Sequence, residues 1–274
     1  MSDVVVPGVR QAEVLSALRE GAPLVQCLTN VVVTNFTANA LLAVGAAPVM
    51  VDVPEEAVEL APGASSVLIN LGTPHEAQRQ AMLGAAQAAE RAGTPWILDP
   101  VGVGALTLRT EFARELLAHR PSVIRGNASE IRALAGQGAG GRGVDAIDAV
   151  ESALPAAEAL VGETGAIVAV SGPVDVVVDG ASTTRVSGGS ALLTRVTGGG
   201  CSLGAVIAAA VSAASDSGSD AALAGTVMAH ALYAEASERA ARAAAGPGSF
   251  AVAFLDELAT VAPGDLARAE RTTR

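Results

Sequence analysis

The chain has 274 residues, with 17 basic against 28 acidic side chains and a formal net charge of −11. Every basic residue is Arg and Lys is absent, which excludes a Walker phosphate loop, a Schiff-base lysine for pyridoxal phosphate and a lysine general base. An acidic chain without a basic run is also a poor partner for nucleic acid, so phosphate chemistry here must rest on Arg, backbone N–H groups and metal.

Along the chain, short apolar runs alternate with Ala-rich helical runs. Pro23–Cys27 reads as a buried strand, Asn35–Val44 as a helix stopped near Gly45, and Pro48–Val51 as a second strand. Ser66–Leu71 is a strand leading into Thr73-Pro74-His75-Glu76, where Thr73 is expected to cap a helix, with Pro74 at its first position and Glu76 closing a capping box. That helix should stop at Gly93. Trp96–Leu98 is a strand carrying Asp99 at its carboxyl end, Glu111–His119 a helix, Ser122–Ile124 a strand and Ala128–Leu134 a helix. Val144–Leu160 reads as helical, and Ala166–Val170, Asp175–Val178 and Thr183–Val186 as strands joined by Gly turns. The last third is helical over Ser202–Ala214, Asp220–Ala245 and Ser249–Thr260, with residues 264–274, including Arg268, Arg271 and Arg274, expected to fray.

The βαβαβ alternation argues for an α/β fold with a mainly parallel central sheet flanked by helices on both faces, in one domain spanning 1–274. With 50% hydrophobic but only 2% aromatic residues, its core must be Ala, Val and Leu. Charged residues at 16% are sparse for a globular chain and suggest that part of the surface is covered in an oligomer. The uncharged stretches Gly21–Val51 and Val196–Ser215 are broken by polar residues or glycines, so neither reads as a membrane span. The opening MSDVVVPGVR lacks the apolar core of a secretory signal, and Cys27 and Cys201 form no disulfide framework, so a cytoplasmic location is expected and the two glycosylation-like triplets carry no weight.

Ligands of open parallel sheets bind beyond the carboxyl ends of the strands. Asn30, Met50, Asp99, Arg125 and Ser171 all fall at such ends and are candidates for one cleft. Thr197-Gly198-Gly199-Gly200-Cys201 opens a helix, so its small residues and free N–H groups suit an anion. The alternative is an ordinary turn; the thiol at the helix N-terminus, expected to have a lowered pKa, decides for the site. Asp99 reads equally as a turn cap, and Asn127 with Glu130 equally as a capping box. Met50 alone reads as core. Gly138–Gly143 matches GxGxxG but follows a helix, so it reads as a surface loop. The three His, at 75, 119 and 230, share no metal-ligand spacing.

Taken in order, Val25-Gln-Cys-Leu-Thr-Asn30, Thr37-Ala-Asn-Ala-Leu-Leu42, Pro48-Val-Met50, Leu98-Asp-Pro-Val-Gly102, Arg125-Gly-Asn-Ala-Ser-Glu130, Ala169-Val-Ser-Gly172 and Val196-Thr-Gly-Gly-Gly-Cys201 resemble the hydroxyethylthiazole kinases of the ribokinase-like superfamily. The resemblance implies phosphorylation of 4-methyl-5-(2-hydroxyethyl)thiazole by ATP with Mg²⁺ in thiamine salvage, by a homotrimer with active sites at the subunit interfaces. It implies that Met50, Asn30 and Gly198 lie against the substrate, that Arg125 and Ser171 bind ATP, and that Asp99 and Glu130 serve Mg²⁺ through water. The N–H groups of Gly198, Gly199, Gly200 and Cys201 would hold the transferring oxygens. Cys201 stands where the wider superfamily has an Asp base, and is either a weak base or a positioner of the hydroxyl. Gln26 replaces a common His and Ser171 a frequent Thr. Two other readings remain: another small-alcohol kinase or nicotinamide-nucleotide-hydrate dehydratase of this superfamily, disfavoured by Cys201, and a non-catalytic ligand-binding trimer.

Overall fold

The computed structural model describes residues 8–138, 150–214, 220–268 and 271–273. Among the described residues, nine strands form one sheet in the order β2-β1-β3-β4-β5-β6-β7-β8-β9. They are β1 Leu24–Leu28, β2 Ala47–Met50, β3 Ser66–Asn70, β4 Trp96–Asp99, β5 Val123–Asn127, β6 Ile167–Ser171, β7 Val174–Val178, β8 Thr183–Ser187 and β9 Thr272–Thr273. All pairs from β2 across to β6 are parallel, and β6 to β9 pair antiparallel.

Period-two alternation divides the core. Leu68, Ile97 and Val123 face one apolar layer, which the helices Gly8–Gly21, Thr34–Val44, Cys201–Ala213, Ala221–Ala243 and Pro247–Thr260 complete. Val67, Ile69, Trp96, Leu98 and Ile124 face the other, covered by helices Pro54–Leu60, Glu76–Ala92, Thr107–Leu117, Ala128–Leu134 and Leu154–Thr164. Strands buried on both faces read as continuous apolar runs, which is why they were visible in the sequence. Small residues dominate the Cys201 helix: Ala205, Ala208, Ala209 and Ala210 are all fully buried, as a backbone packed close against β3 and β4 requires.

Gly45 and Gly93 end their helices in the left-handed conformation, as expected from sequence. Other boundaries move. The helix after β3 begins at Glu76 with His75 as its N-cap, whose Nδ1 accepts the Gln78 N–H at 3.3 Å. Thr73 is not that cap; its hydroxyl accepts the Val31 N–H at 3.2 Å, tying the ends of β1 and β3 together. β5 runs on through Arg125, Gly126 and Asn127 because each pairs with β6, so the guanidinium is held within a strand and not in the turn after it. The expected helix at 144–160 is observed as Leu154–Thr164, while residues 144–149 and most of the Gly138–Gly143 motif lie outside the described residues.

Within the segment expected to fray, residues 264–268 and 271–273 are ordered instead, while 269, 270 and 274 lie outside the described residues. A short helix covers Pro263–Arg268, and β9 pairs with β8. Arg271 explains the difference, since Nη2 meets Glu235 at 2.6 Å and Glu238 at 2.7 Å. Helices Gly8–Gly21 and Pro54–Leu60 and the 3₁₀ turn Ala191–Arg195 were not legible in the sequence, because none carries a strong apolar period.

Candidate active site

The chain leaves β1 for β2 on one side and returns to β3 on the other, so β1 and β3 form the switch point of the sheet. A crevice opens beyond the carboxyl ends of strands at such a point. Asn30 follows β1 there, and the ladder sets Asn70 at the end of β3 opposite Asp99 at the end of β4. Asn127 lies opposite Ser171 in the same way.

These ends are joined by side chains. Asn70 Nδ2 donates to Asp99 Oδ2 at 2.7 Å, and Asn30 Nδ2 donates to Asn70 Oδ1 at 2.9 Å. Asn30 Nδ2 also lies 3.7 Å from Cys201 Sγ. From the other side Arg125 Nη1 comes within 3.8 Å of Asp99 Oδ2 and donates to the Gly200 carbonyl at 3.2 Å, while Nε and Nη2 donate to Ser171 Oγ at 3.1 and 2.8 Å. Asn30, Asp99, Arg125, Ser171, Gly200 and Cys201, six of the residues singled out from sequence, therefore form one connected cluster. Asn70, which completes it, was missed; the signal was a single amide ending the apolar strand Ser66-Val-Leu-Ile-Asn70.

Gly72 allows the cluster to close, because a Cβ there would overlap the side chain of Asn30. Gly198 has φ +96, and a Cβ on it would stand 2.9 Å from the ring of Phe36. Both the backbone conformation and the lack of space thus demand glycine at that turn. Ser202 Oγ donates to the Gly198 carbonyl at 2.6 Å and accepts the hydroxyl of Tyr233 at 2.9 Å, so the single tyrosine of the chain pins the turn from behind. The Gly199 N–H is already bonded to the Val196 carbonyl, and those of Ser202 and Leu203 to Gly198 and Gly200. Among the described residues of this turn, the amides of Gly198, Gly200 and Cys201 are left without a backbone acceptor. The four-amide anion site expected from sequence narrows accordingly, with Gly199 contributing shape in place of its N–H.

Burial pushes Asp99 up to about 7, with the charge of Glu130 adding to it and Arg125 and the Asn70 amide opposing it. Burial also raises the Cys201 thiol, and the neighbouring Asp99 charge raises it further. The lowering expected from the helix N-terminus is outweighed, since a partly desolvated sulfur beside a carboxylate disfavours the thiolate. Glu130 completes the capping box with Asn127, its Oε2 accepting the Asn127 N–H at 3.0 Å while its own N–H reaches Asn127 Oδ1 at 2.9 Å. Its other oxygen accepts the Gly102 N–H at 3.0 Å, which ties the loop after β4 to the turn after β5.

Met50 ends β2 opposite Cys27 and packs partly buried against the core. Gln26 turns away from the cluster and donates to the Ala57 carbonyl at 3.1 Å. His119, in the turn after helix Thr107–Leu117, pairs with Glu90 at 3.1 Å, and His230, in helix Ala221–Ala243, pairs with Asp175 at 2.7 Å. Beside the cluster, a cavity of about 380 Å³ is lined by Thr73, Pro74, His75, Leu106, Leu108 and Arg109. No helix among the described residues is long and apolar enough to cross a membrane.

An arginine, a buried carboxylate and a helix start converge beyond the carboxyl ends of the parallel strands in an α/β protein of ribokinase-like fold. A pyridoxal kinase from Staphylococcus aureus shares this fold, with a TM-score of 0.59 at 16% identity over 79% of this chain and 88% of that one. The likeness to a hydroxyethylthiazole kinase structure from Pyrococcus horikoshii is much greater: TM-score 0.86 and 37% identity, covering 96% of this chain and 97% of that one. A hydroxyethylthiazole kinase of Clavibacter sepedonicus is 57% identical over 260 residues, which span 95% of this chain and 93% of the relative. The profile of the hydroxyethylthiazole kinase family matches residues 15–263. The chain belongs to that family.

Proposed function

We propose that this protein transfers the γ-phosphoryl group of ATP to the primary hydroxyl of 4-methyl-5-(2-hydroxyethyl)thiazole, releasing ADP. The observation that carries this reading is the approach of Arg125 to the start of the Cys201 helix, through the 3.2 Å bond from Nη1 to the Gly200 carbonyl. It brings a fixed cation to a turn where the amides of Gly200 and Cys201 are unused, which is what a transferring phosphoryl group needs in a chain without lysine.

In this mechanism Asn30 and Met50, with Gly198, shape the alcohol side, and Arg125 with Ser171 holds the nucleotide. The hydroxyl attacks phosphorus in line as the bond to the ADP oxygen breaks. Gly200 and Cys201 N–H groups stabilise the equatorial oxygens. The hydroxyl proton passes to Cys201 Sγ only where the sulfur is a thiolate; as a thiol, Cys201 orients the hydroxyl and the proton leaves on an oxygen of the transferred phosphoryl group. Mg²⁺ would be held through water by Asp99 and Glu130, and supplies charge neutralisation between the phosphates. This donor set fits that ion, which prefers one or two carboxylates together with waters and phosphate oxygens. Glu130 already accepts a backbone N–H on each oxygen, so it suits a water-mediated contact.

The protein is proposed to act as a homotrimer with sites between subunits, in the cytoplasm. Val31 and Val32, next to Asn30, are 65% and 64% exposed, and Leu106 and Leu108 flank the adjoining cavity, so an apolar rim beside the site is available for a neighbouring subunit. The two free cysteines accord with a reducing compartment.

A coupled ADP-release assay tests the reading, with the thiazole alcohol, hydroxymethylpyrimidine and pyridoxal each measured with and without Mg²⁺. Release dependent on the thiazole alcohol and on Mg²⁺ is expected. Equal or greater turnover of either other alcohol would overturn the substrate, and no alcohol-dependent release would favour a binding protein.

A further inference from the structure

We propose that Asn70 is a positioning residue for the transfer, setting the direction of every hydrogen bond between the Asp99 carboxylate and the Cys201 sulfur; its kinetic consequence rests on the kinase reading above. A carboxamide can sit in either of two orientations, and its partners decide which. One side-chain atom of Asn70 lies 3.0 Å from the Gly72 backbone N–H, which can only donate. That atom is therefore the oxygen, and the other, 2.7 Å from Asp99 Oδ2, is the NH₂ group donating to a carboxylate.

With Asn70 Oδ1 an acceptor, the Asn30 atom 2.9 Å from it must be a donor, Nδ2. The second hydrogen of that group is directed at Cys201 Sγ, 3.7 Å away. One backbone amide thus fixes the sense of the whole chain. Sulfur is the acceptor from Asn30, so its own proton or lone pair is left for the alcohol. Asp99 accepts from Asn70 through Oδ2, the oxygen that Arg125 Nη1 also approaches at 3.8 Å, so the carboxylate is held from both sides.

A turn-forming asparagine would explain only the Gly72 contact. It does not explain an amide with no exposed surface whose NH₂ is spent on a buried carboxylate. Burying such a group is unfavourable unless all its partners are present, and Asn70 has no unsatisfied atom.

The test uses Asn70→Asp, which keeps an oxygen for Gly72 but sets a second oxygen against Asp99, and Asn70→Ser, which keeps only the turn contact. Each is compared with Asn30→Ala and with the double variant Asn30→Ala/Asn70→Ser. Expected are losses in kcat of at least about 30-fold in both single Asn70 variants, with KM for ATP and for the alcohol within about threefold. The double variant should lose no more than about threefold beyond Asn70→Ser alone, because both changes break one chain. Alkylation of Cys201 by iodoacetamide at one fixed pH, followed by peptide mass, should slow at least about threefold in Asn30→Ala and Asn70→Ser alike, because the first removes the Asn30 donor to the sulfur and the second removes both the acceptor that orients that donor and the Asn70 amide that itself reaches the thiol.

A folded Asn70 variant with kcat within about threefold of the parent, or losses that multiply in the double variant, would overturn the proposal. If neither Asn70 variant folds, Asn30→Asp, which faces Asn70 Oδ1 with an oxygen, takes their place and must show the same loss in kcat. If the parent protein releases no ADP with the thiazole alcohol, the kinase reading fails separately. The alkylation rates then decide, and rates equal to the parent's would dispose of Asn70 as the organiser of the sulfur.

Discussion

Arg125 closes on Ser171 with two nitrogens, Nε at 3.1 Å and Nη2 at 2.8 Å to the same hydroxyl. Ser171 ends β6 and Arg125 lies inside β5, so neighbouring strands hold both ends of the contact and the planar guanidinium is fixed before any nucleotide arrives.

Arg125→Ala is expected to raise the KM for ATP at least about tenfold, equivalent to ~1.4 kcal/mol, and to lower kcat. Binding of the thiazole alcohol without nucleotide, measured calorimetrically, should hardly change. Ser171→Ala should raise the same KM by about threefold, while Ser171→Thr, which keeps the hydroxyl, stays near the parent. An unaltered KM in Arg125→Ala removes the residue from the nucleotide side.

At Cys201, burial and the Asp99 charge both disfavour the thiolate, so the sulfur is protonated at neutral pH and suits hydrogen bonding better than unaided proton abstraction. Cys201→Ala is expected to lower kcat by more than about threefold, or ~0.7 kcal/mol of transition-state stabilisation. Cys201→Asp, which supplies an oxygen base at the same place, should exceed Cys201→Ala in kcat. A smaller loss in the alanine variant rules the thiol out as base.

The apolar rim formed by Val31, Val32, Leu106 and Leu108 bears on assembly. Sedimentation at micromolar protein should give a trimer, and Val32→Asp should shift it toward monomer with at least about tenfold lower activity, because a buried unpaired carboxylate opposes association. A fully active monomer would remove the interfacial site from the reading.

The C-terminal segment makes a pH-dependent contribution. Burial pushes Glu235 up, but hydrogen bonds from Arg271 and Arg239 outweigh it and leave the carboxyl below the ordinary range; at Glu238 the Arg271 bond is the leading cause of a lowered value. Carboxylates with lowered native values stabilise the fold above their unfolded pKa of about 4.3 and lose that contribution as pH falls through the native value. Arg271→Ala should therefore reduce stability by about 1–2 kcal/mol at pH 7 in urea titrations. The difference from the parent should shrink steadily below about pH 4; a constant difference down to pH 3 would contradict the role of the pair.

How much of this was legible in the sequence follows from how local each feature is. The strands β1, β3, β4 and β6 stood out because burial on both faces makes them continuous apolar runs, and the helix stops at Gly45 and Gly93 because a left-handed residue is a local demand. Asp99, Arg125, Ser171 and the Gly198–Cys201 turn were visible as polar or glycine residues at strand and helix ends, where a parallel sheet presents its ligands.

The absence of lysine by itself determined that phosphate would have to meet Arg and backbone amides, and the ordered motifs determined the family. The tertiary structure alone decided which amides are free, since the Gly199 N–H is spent on Val196. It also decided the rise of the Cys201 thiol, the place of Asn70 between Asn30 and Asp99, and the anchoring of Arg271 to Glu235 and Glu238. The last three depend on groups distant in the chain that folding brings together: residues 30, 70, 99 and 201 meet only because β1, β3 and β4 end at one edge beneath the Cys201 helix. Propensity and periodicity describe a residue's neighbours in sequence, whereas hydrogen-bond partners and desolvation are set by neighbours in space.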